Sequence, residues 1–375
     1  MESATAAARA PSSAPGTPPS IKSGAFHGYF LYDVADTIDL ARLGTVASGT
    51  ARAPLQLRPE ASSGFIEYPV PPVVVRRAST PSGTGVRAKV FDYGVISIRL
   101  TLPFSGTWNE FAAFTRRLRR DPELPALAQA TLNTLLADMA GMLDEPHTPV
   151  WEDYFIFEVD AFELPAQTPA LLGKYVSQLA CLVLCEERPL MPAEQEEAVR
   201  VNFTYFDDDL IVVQWDTAFV YDRREGANAA EDILEFANTQ LVELRQHDAL
   251  LDAELDMIYK IDDKHAGRRF GRKGAQQAAD RIRYLIVDVL ELTDRSSNAL
   301  KIIGDAYYAR LYRGAAQRLG LKDWQKQLDS KLQSVGEMYR FFNDRAQAAR
   351  GEFFEIVIIL LIALEIVIGV LTLRH

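Results

Sequence analysis

Cysteine is scarce in this 375-residue chain, occurring only at Cys181 and Cys185. Their i,i+4 spacing within Leu171–Glu187 places both on one face of a predicted helix, in a protein of a reducing compartment. The spacing is one residue too long for a C-x-x-C redox motif, and no second Cys/His pair lies near enough to complete a metal site. We therefore interpret both cysteines as small buried apolar residues.

Positive charge is also in deficit. The chain has 40 Lys and Arg residues against 51 Asp and Glu residues, for a formal net charge of −11. This balance argues against general attraction to nucleic acid or anionic lipid, so we predict no specific DNA binding, but it leaves room for a local basic patch. With 48% hydrophobic residues the chain can bury a large core, and its length predicts two structural units.

Recognisable catalytic motifs are missing as well. His27, His147, His247 and His265 have no Ser, Cys or metal-ligand spacing that would make them bases or ligands. Three aspartates at Asp207–Asp209 fall at a predicted hairpin turn, where aspartate is favoured for turn geometry. The sequence therefore predicts no catalytic residue, no metal site and no cofactor. An enzyme whose residues meet only in the folded chain remains the alternative.

Large apolar residues are nearly absent from residues 1–22, which are rich in Ala, Ser, Pro and Thr. Such a segment cannot bury enough surface to offset the entropy of ordering, so we predict a disordered tail. It lacks the apolar region of a secretory signal, and its prolines would break the amphipathic helix of a mitochondrial presequence. The segment therefore supports no targeting assignment.

Residues 23–226 have an apolar pattern that repeatedly takes a period of two, interrupted by helical stretches. In the fourth of the first four predicted strands, one side carries Ile96, Ile98, Leu100 and Leu102, and the other side carries Ser97, Arg99 and Thr101. One buried sheet face with helices in between predicts an α+β domain over residues 23–226. The first four predicted strands are Phe26–Val34, Phe65–Arg77, Val86–Phe91 and Val95–Leu102.

Residues 227–349 have a different character. Ala229–Asp263 contains no Gly or Pro and has apolar residues at steps of three and four, which predicts one long helix. Ala275–Arg318 is predicted as a second helix, and a third begins at Leu321. Three long helices with short connections predict an antiparallel coiled-coil stalk, and we expect its apolar stripes to form a homo-oligomer.

The final segment, residues 350–375, carries the longest apolar run. Phe353–Leu373 would reach about 30 Å as a helix, the thickness of a bilayer's hydrocarbon core. We therefore predict a single-pass transmembrane helix in contact with membrane lipid. This tail-anchored arrangement would leave the bulk of the chain cytoplasmic, most simply at the bacterial cytoplasmic membrane, with the mitochondrial inner membrane as the alternative.

A basic loop between the first two long helices is one candidate contact site. Lys264–Gly274 is punctuated by glycines, which allow close approach to phosphates of RNA, the ribosome or lipid headgroups. The alternative is a solvated helix connection whose cations face neighbouring aspartates. The loop is not a P-loop, because it lacks the G-x-x-x-x-G-K-[ST] order. The predicted phosphate or partner contacts are Arg268, Arg269, Phe270, Arg272 and Lys273.

Glu365 is the second candidate, an ionisable residue near the middle of the predicted anchor. Such a residue is a functional candidate, either proton-linked or as a polar contact between anchors of an oligomer. The alternative is a tolerated carboxyl that stays neutral.

Several segments resemble a known family. They are Phe91–Ile96 on a strand, Leu234–Asn238 and Leu250–Tyr259 on the first long helix, and Ile362–Val367 in the predicted anchor. They resemble the family that includes the proteins named "required for meiotic nuclear division" and bacterial tail-anchored relatives. The resemblance implies an integral membrane protein, with mitochondrial relatives linked to translation of membrane proteins. It implies no catalytic residues.

These observations favour a membrane-tethered, non-enzymatic scaffold or docking protein. Its expected partners are membrane lipid, a second copy of the chain, and the ribosome or another protein. A membrane-proximal enzyme is one alternative. A transporter built like two-span magnesium channels is another, although the chain lacks a second span and a Gly-Met-Asn filter sequence.

Overall fold

The computed structural model describes nine segments of the chain in two compact units. The first unit comprises Met1–Glu243 and Ser296–Lys322, and the second comprises Leu244–Arg295 and Asp323–His375. The described residues within them are 16–43, 55–58, 65–77, 83–222, 227–265, 287, 303–337, 340 and 358–362.

The first unit is built on a nine-stranded mixed sheet with the order β2-β3-β4-β5-β1-β6-β9-β8-β7. Strands β6 and β9 pair in parallel, and the other neighbours pair antiparallel. The strands are β1 (Ile21–Ile38), β2 (Leu55–Arg58), β3 (Val73–Arg77), β4 (Gly85–Val90), β5 (Val95–Gly106), β6 (Leu143–Phe162), β7 (Asn202–Phe203), β8 (Asp209–Val213) and β9 (Thr217–Asp222).

Helices connect and follow these strands. They are α1 (Trp108–Arg119), α2 (Glu123–Asp138), α3 (Thr168–Leu172), α4 (Val176–Val183), α5 (Pro192–Ala198), α6 (Ala227–His265), α7 (Ala306–Arg318) and α8 (321–337). Helix α6 begins in the first unit and continues into the second. Helix α1 begins with a capping box, in which Thr107 Oγ1 accepts from the amide of Glu110 and the Glu110 carboxylate accepts from the amide of Thr107.

One face of the sheet carries the main apolar core. Phe26 of β1 and Phe157 of β6 stack at 5.9 Å between ring centroids, and Trp108 of α1 lies 5.9 Å from the ring of Phe219. All four side chains are buried. Since each fully buried large apolar side chain contributes about 1.5–3 kcal/mol, this face supplies much of the driving force for folding.

The opposite face of the sheet is polar but also buried, so the prediction of one buried face is incomplete. Ser97, Lys89 and His27 are only 1%, 3% and 4% exposed. The first half of α6 covers them, as its carboxylates bond to this face. The alternating pattern therefore correctly predicted an apolar face and a polar face. It did not predict that α6 covers the polar face.

The predicted second helix, Ala275–Arg318, does not run continuously to its predicted end. Ile303 forms an isolated bridge with Ile66, and Asp305 caps α7 by accepting from the amides of Tyr307 and Tyr308. A capping aspartate takes an extended backbone, which ends any helix arriving from its N-terminal side. Helix α7 is therefore a separate element, and it belongs to the first unit.

Within the second unit, α8 and the later part of α6 run parallel. Lys331 Nζ lies 2.7 Å from carboxylate oxygens of both Asp248 and Asp252, and Gln327 donates to Asp248 at 3.3 Å. Moving from Gln327 to Lys331 on α8 moves the contact from Asp248 toward Asp252 on α6. The two helices therefore run in the same direction. Most of the predicted intervening helix lies outside the described residues, so the antiparallel stalk itself stays a prediction.

The predicted membrane anchor is not supported, and the fold prediction was wrong in this respect. Among the described residues, no helix combines the length and the apolarity that a membrane crossing needs. Of Phe353–Leu373, the structure describes Ile358–Ile362, and these residues are helical. The predictions of a single-pass, tail-anchored protein at the bacterial cytoplasmic membrane or mitochondrial inner membrane are therefore wrong.

Candidate functional site

The sequence-predicted site residues are not part of the described structure. Arg268, Arg269, Phe270, Arg272 and Lys273 lie outside the described residues, and so does Glu365. The contact of the five loop residues with RNA, the ribosome or lipid, and the role of Glu365, therefore stay predictions.

The other singled-out residues have local structural roles. Asp209 accepts hydrogen bonds from the amides of Tyr205 and Phe206, as expected of an aspartate in a turn. Cys181 lies on α4, while Cys185 lies beyond its end with a φ of 53°. Burial raises the pKa of both thiols, which is the behaviour of inert cysteines.

The main concentration of buried charge lies between the sheet and α6, and we call it the charge cluster. Its basic residues come from β1, β4 and β5, and its acidic residues come mainly from the first two turns of α6. Because Glu231 and Glu235 are four residues apart on a helix, both point to the same side, toward the sheet. The charge cluster comprises His27, Arg87, Lys89, Arg99, Glu158, Glu231, Asp232 and Glu235.

His27 stands at the centre of one half of the charge cluster. Its Nε2 lies 2.6 Å from Glu158 Oε2 and 3.3 Å from Glu231 Oε1, and its Nδ1 lies 3.0 Å from Thr101 Oγ1. Both ring nitrogens therefore have partners, and one of them faces two carboxylates. One possible metal-ligand atom from each of His27, Glu158 and Glu231 lies within 4.8 Å of the other two, a spacing compact enough for a metal site.

Glu231 is the most enclosed carboxylate of this half, with a side chain only 2% exposed. Its Oε2 accepts from Arg99 Nη1 at 2.6 Å and from Tyr29 Oη at 3.0 Å. Burial alone would raise the pKa of Glu231, but the charges of His27 and Arg99 and the Tyr29 hydrogen bond lower it. Glu231 is therefore held as an anion.

Glu158 is the more exposed carboxylate of the same half of the charge cluster, with a side chain 14% exposed. Burial raises the pKa of its carboxyl, and the neighbouring Glu231 raises it further, although the hydrogen bond with His27 acts in the opposite direction. The two glutamates thus have environments that push their pKa values apart.

The other half of the charge cluster is an ion-pair triad. Lys89 Nζ donates to Asp232 Oδ1 at 2.8 Å and also to Glu235 Oε2. The side chains of Lys89 and Glu235 are each 4% exposed, so these charges interact in a medium of low dielectric constant. Arg87 lies 3.8 Å from Asp232 at the edge of the triad.

A small cleft lies near the apolar face of the sheet. A cleft of about 150 Å³ is lined by Phe30 and Phe155 together with Arg119 and Asp153. Arg119 also pairs with Asp216. Burial raises the pKa of both aspartates, with the charge of Arg119 lowering it in part. This cleft is too small for most organic ligands, since ligand pockets usually measure about 300–1,000 Å³.

The sequence around His27 gave no indication of its contacts. Its partners lie 131 and 204 residues away along the chain, at Glu158 and Glu231, so no local spacing connects them. One signal was available: the polar positions of β5 alternate toward the same face as His27, and the first turns of α6 are rich in carboxylates. These patterns indicate two polar surfaces of the right character, but they do not specify that the two surfaces pack against each other.

Comparison with known proteins places the chain in a family. Residues 23–228 match the family described as "Uncharacterized protein MJ0711, N-terminal domain", which is more than half of the chain. The chain therefore belongs to this family. The matched residues include His27, Arg99 and Glu158, while Glu231 lies just beyond them.

A relative, "Uncharacterized protein MJ0711" of Methanocaldococcus jannaschii, is 25% identical over 174 residues, or 46% of this chain and 52% of the relative. The chain thus spans about half the length of this relative. No solved structure matches. These findings overturn the resemblance to the family of the required-for-meiotic-nuclear-division proteins, because the family match is to a different family.

Proposed function

We propose that this protein is a non-enzymatic scaffold that self-associates through the helical residues Ile358–Ile362 of its second unit. These five consecutive aliphatic side chains are each between 51% and 63% exposed. A contiguous apolar surface that remains exposed on a folded chain marks an interaction site. This exposed run is the observation that carries the proposal.

The energy available from this run fits a reversible complex. Full burial of one large aliphatic side chain contributes about 1.5–3 kcal/mol, but these side chains are already partly buried and consecutive helical residues point about 100° apart, so only the two or three that face a partner contribute on each copy. Association costs about 4–15 kcal/mol in lost translational and rotational freedom. We therefore expect a reversible association that depends on protein concentration.

A second copy is the simplest partner for such a run. In a two-fold complex the same patch appears on both chains, so one apolar segment provides both sides of the interface. The charge cluster supports a structural role for the first unit, because its carboxylates and cations are engaged with each other beneath α6 rather than displayed in an open pocket.

Molar mass measured by light scattering after gel filtration tests this proposal. The full chain is expected to elute above monomer mass at its highest attainable concentration and to approach monomer mass on dilution. Substituting Ile358, Ile359, Leu361 and Ile362 with Ser should give a monomer at every concentration.

The matched control substitutes Leu164 and Met191 with Ser, because these side chains of the first unit are 72% and 73% exposed. This control should associate like the unchanged protein. A full chain that is monomeric at the highest concentration, or a Ser variant that associates as well as the control, would contradict the proposal.

A further inference from the structure

We propose that His27, Glu158 and Glu231 form a binding site for a divalent first-row transition-metal ion such as Zn²⁺. The site stands on β1, β6 and α6 of the first unit and is independent of the association proposed above. His27 Nε2 lies 2.6 Å from Glu158 Oε2 and 3.3 Å from Glu231 Oε1, and one ligand atom from each of the three residues lies within 4.8 Å of the other two.

The spacing of these atoms suits a four-coordinate ion. Ligands placed about 2.0–2.2 Å from a tetrahedral Zn²⁺ lie about 3.3 Å apart. The 3.3 Å between His27 Nε2 and Glu231 Oε1 matches this value. The 2.6 Å between His27 Nε2 and Glu158 Oε2 is a hydrogen-bond length, and a small outward movement of the partly exposed Glu158 would open it to the same distance.

The groups behind these ligands are placed as a metal site requires. Thr101 Oγ1 lies 3.0 Å from His27 Nδ1, where it can accept the Nδ1 proton and leave the Nε2 lone pair facing the carboxylates. Arg99 and Tyr29 donate to Oε2 of Glu231, which leaves its Oε1 directed at His27. A metal ion would displace to solvent the proton that His27 Nε2 shares with Glu158 Oε2, and three electron-rich atoms would then converge on the ion.

The donor chemistry selects the class of ion. An imidazole nitrogen combined with two carboxylates suits Zn²⁺, Mn²⁺ or Fe²⁺, whereas Ca²⁺ and Mg²⁺ prefer oxygen ligands alone. Two anionic carboxylates neutralise the charge of a divalent ion. Glu158, with its side chain 14% exposed, gives the ion a route from solvent to the otherwise buried His27 and Glu231.

Equilibrium dialysis of chelator-treated full-length protein against Zn²⁺, with metal analysis of the retained fraction, tests the site. The unchanged protein should retain about one Zn²⁺ per chain, as one three-ligand site predicts. Glu158→Gln removes a charged ligand at the exposed edge and should weaken Zn²⁺ binding by at least about tenfold. Thr101→Val keeps all three ligands and should weaken binding by about 10–100-fold, because it removes only the group that orients the imidazole.

The matched control is His147→Gln, because His147 also lies beside a buried carboxylate, 3.2 Å from Asp33, and is not one of the three residues of the proposed metal site. It should leave Zn²⁺ binding unchanged. Circular dichroism and thermal unfolding establish that each variant is folded before binding is compared. Absence of stoichiometric binding by the unchanged protein, or equal affinity in Glu158→Gln and in the unchanged protein, would overturn the proposal and leave a proton-mediated ion pair in its place.

Discussion

At the scale of single residues, Gly94 is the glycine least tolerant of a side chain in the part of the chain that the structure describes. It has a φ of +87°, and an added Cβ would lie 1.6 Å from the carbonyl oxygen of Ala35. Its own carbonyl accepts from the amide of Val34 at 3.0 Å, so the turn between β4 and β5 is fixed against β1. Gly94→Ala should lower the free energy of unfolding by at least about 3 kcal/mol, because left-handed strain adds to steric overlap.

Gly83→Ala separates these two causes, since Gly83 has a φ of +82° but its added Cβ would meet nothing within 4 Å. It should cost only about 1–2 kcal/mol, the cost of the left-handed conformation. Urea unfolding of the two variants measures the difference. Equal losses at both positions would show that the close approach to Ala35 is not what fixes the turn.

His147 is the residue from which we expect a pH-dependent stability. Burial lowers the pKa of its imidazole, but the hydrogen bond to Asp33 and the charge of that carboxylate outweigh burial and raise it. A group whose pKa is higher in the folded state contributes stability that is fully present below its unfolded pKa of about 6.5 and is lost as the pH rises through its folded pKa.

The His147→Gln variant should therefore differ most from the unchanged protein at low pH. The difference in free energy of unfolding should be larger at about pH 5.5 than at about pH 9, because the stability contributed by the raised pKa is lost as the folded imidazole deprotonates. Urea unfolding at the two pH values measures it. A difference that increases with pH would contradict the assigned direction.

At the scale of elements, the contact between α6 and the sheet depends on Lys89. Removing this cation leaves Asp232 and Glu235 as buried carboxylates that have lost their shared partner. Breaking a buried ion pair by deleting one partner costs about 3–5 kcal/mol, so Lys89→Ala should lower the free energy of unfolding by that amount. Hydrogen exchange should show the loss first in the amides of the first half of α6.

The control for this prediction is Lys326→Ala, because Lys326 lies 3.9 Å from Asp323 with side chains 79% and 86% exposed. Exposed ion pairs contribute little, so the free energy of unfolding should change by less than about 0.5 kcal/mol. If both lysine variants lost the same small amount, the charge cluster would not be what binds α6 to the sheet.

Element boundaries show how far local patterns could predict this fold. The predicted strand Val95–Leu102 lies within β5, and the predicted helix Ala229–Asp263 lies within α6, because period-two alternation and a long run without Gly or Pro are local signals. The signal at Asp305 was missed, as Gly304-Asp305 precedes α7 in the manner of an N-cap. A helical pattern on both sides concealed the interruption.

The candidate site could not be predicted from the same patterns. Thr101 and Arg99 were correctly placed on the polar face of their strand, but a polar face normally meets water. Here it meets α6, and Arg99 contacts Glu231 across 132 residues of sequence. Such a contact depends on how the elements pack, and no local spacing encodes it.

At the scale of the whole molecule, the largest error concerned the C-terminal residues. An apolar run of suitable length was sufficient to predict a membrane anchor, but the described helices do not include a membrane span. Within that run, Ile358–Ile362 is helical and exposed. Apolar composition alone did not determine which partner covers such a surface, and we propose that a second copy of the chain covers it.

Disulfide trapping at position 360 tests this assignment most directly. Leu360 is 63% exposed in the middle of the run, so Leu360→Cys, made after replacing Cys181 and Cys185 with Ala, places one reactive thiol there. Leu164→Cys in the same background is the control. We predict that mild oxidation converts most of the Leu360→Cys protein, but little of the control, into a covalent dimer at micromolar concentration. Equal dimer yields from the two variants, or none from Leu360→Cys, would contradict self-association through Ile358–Ile362.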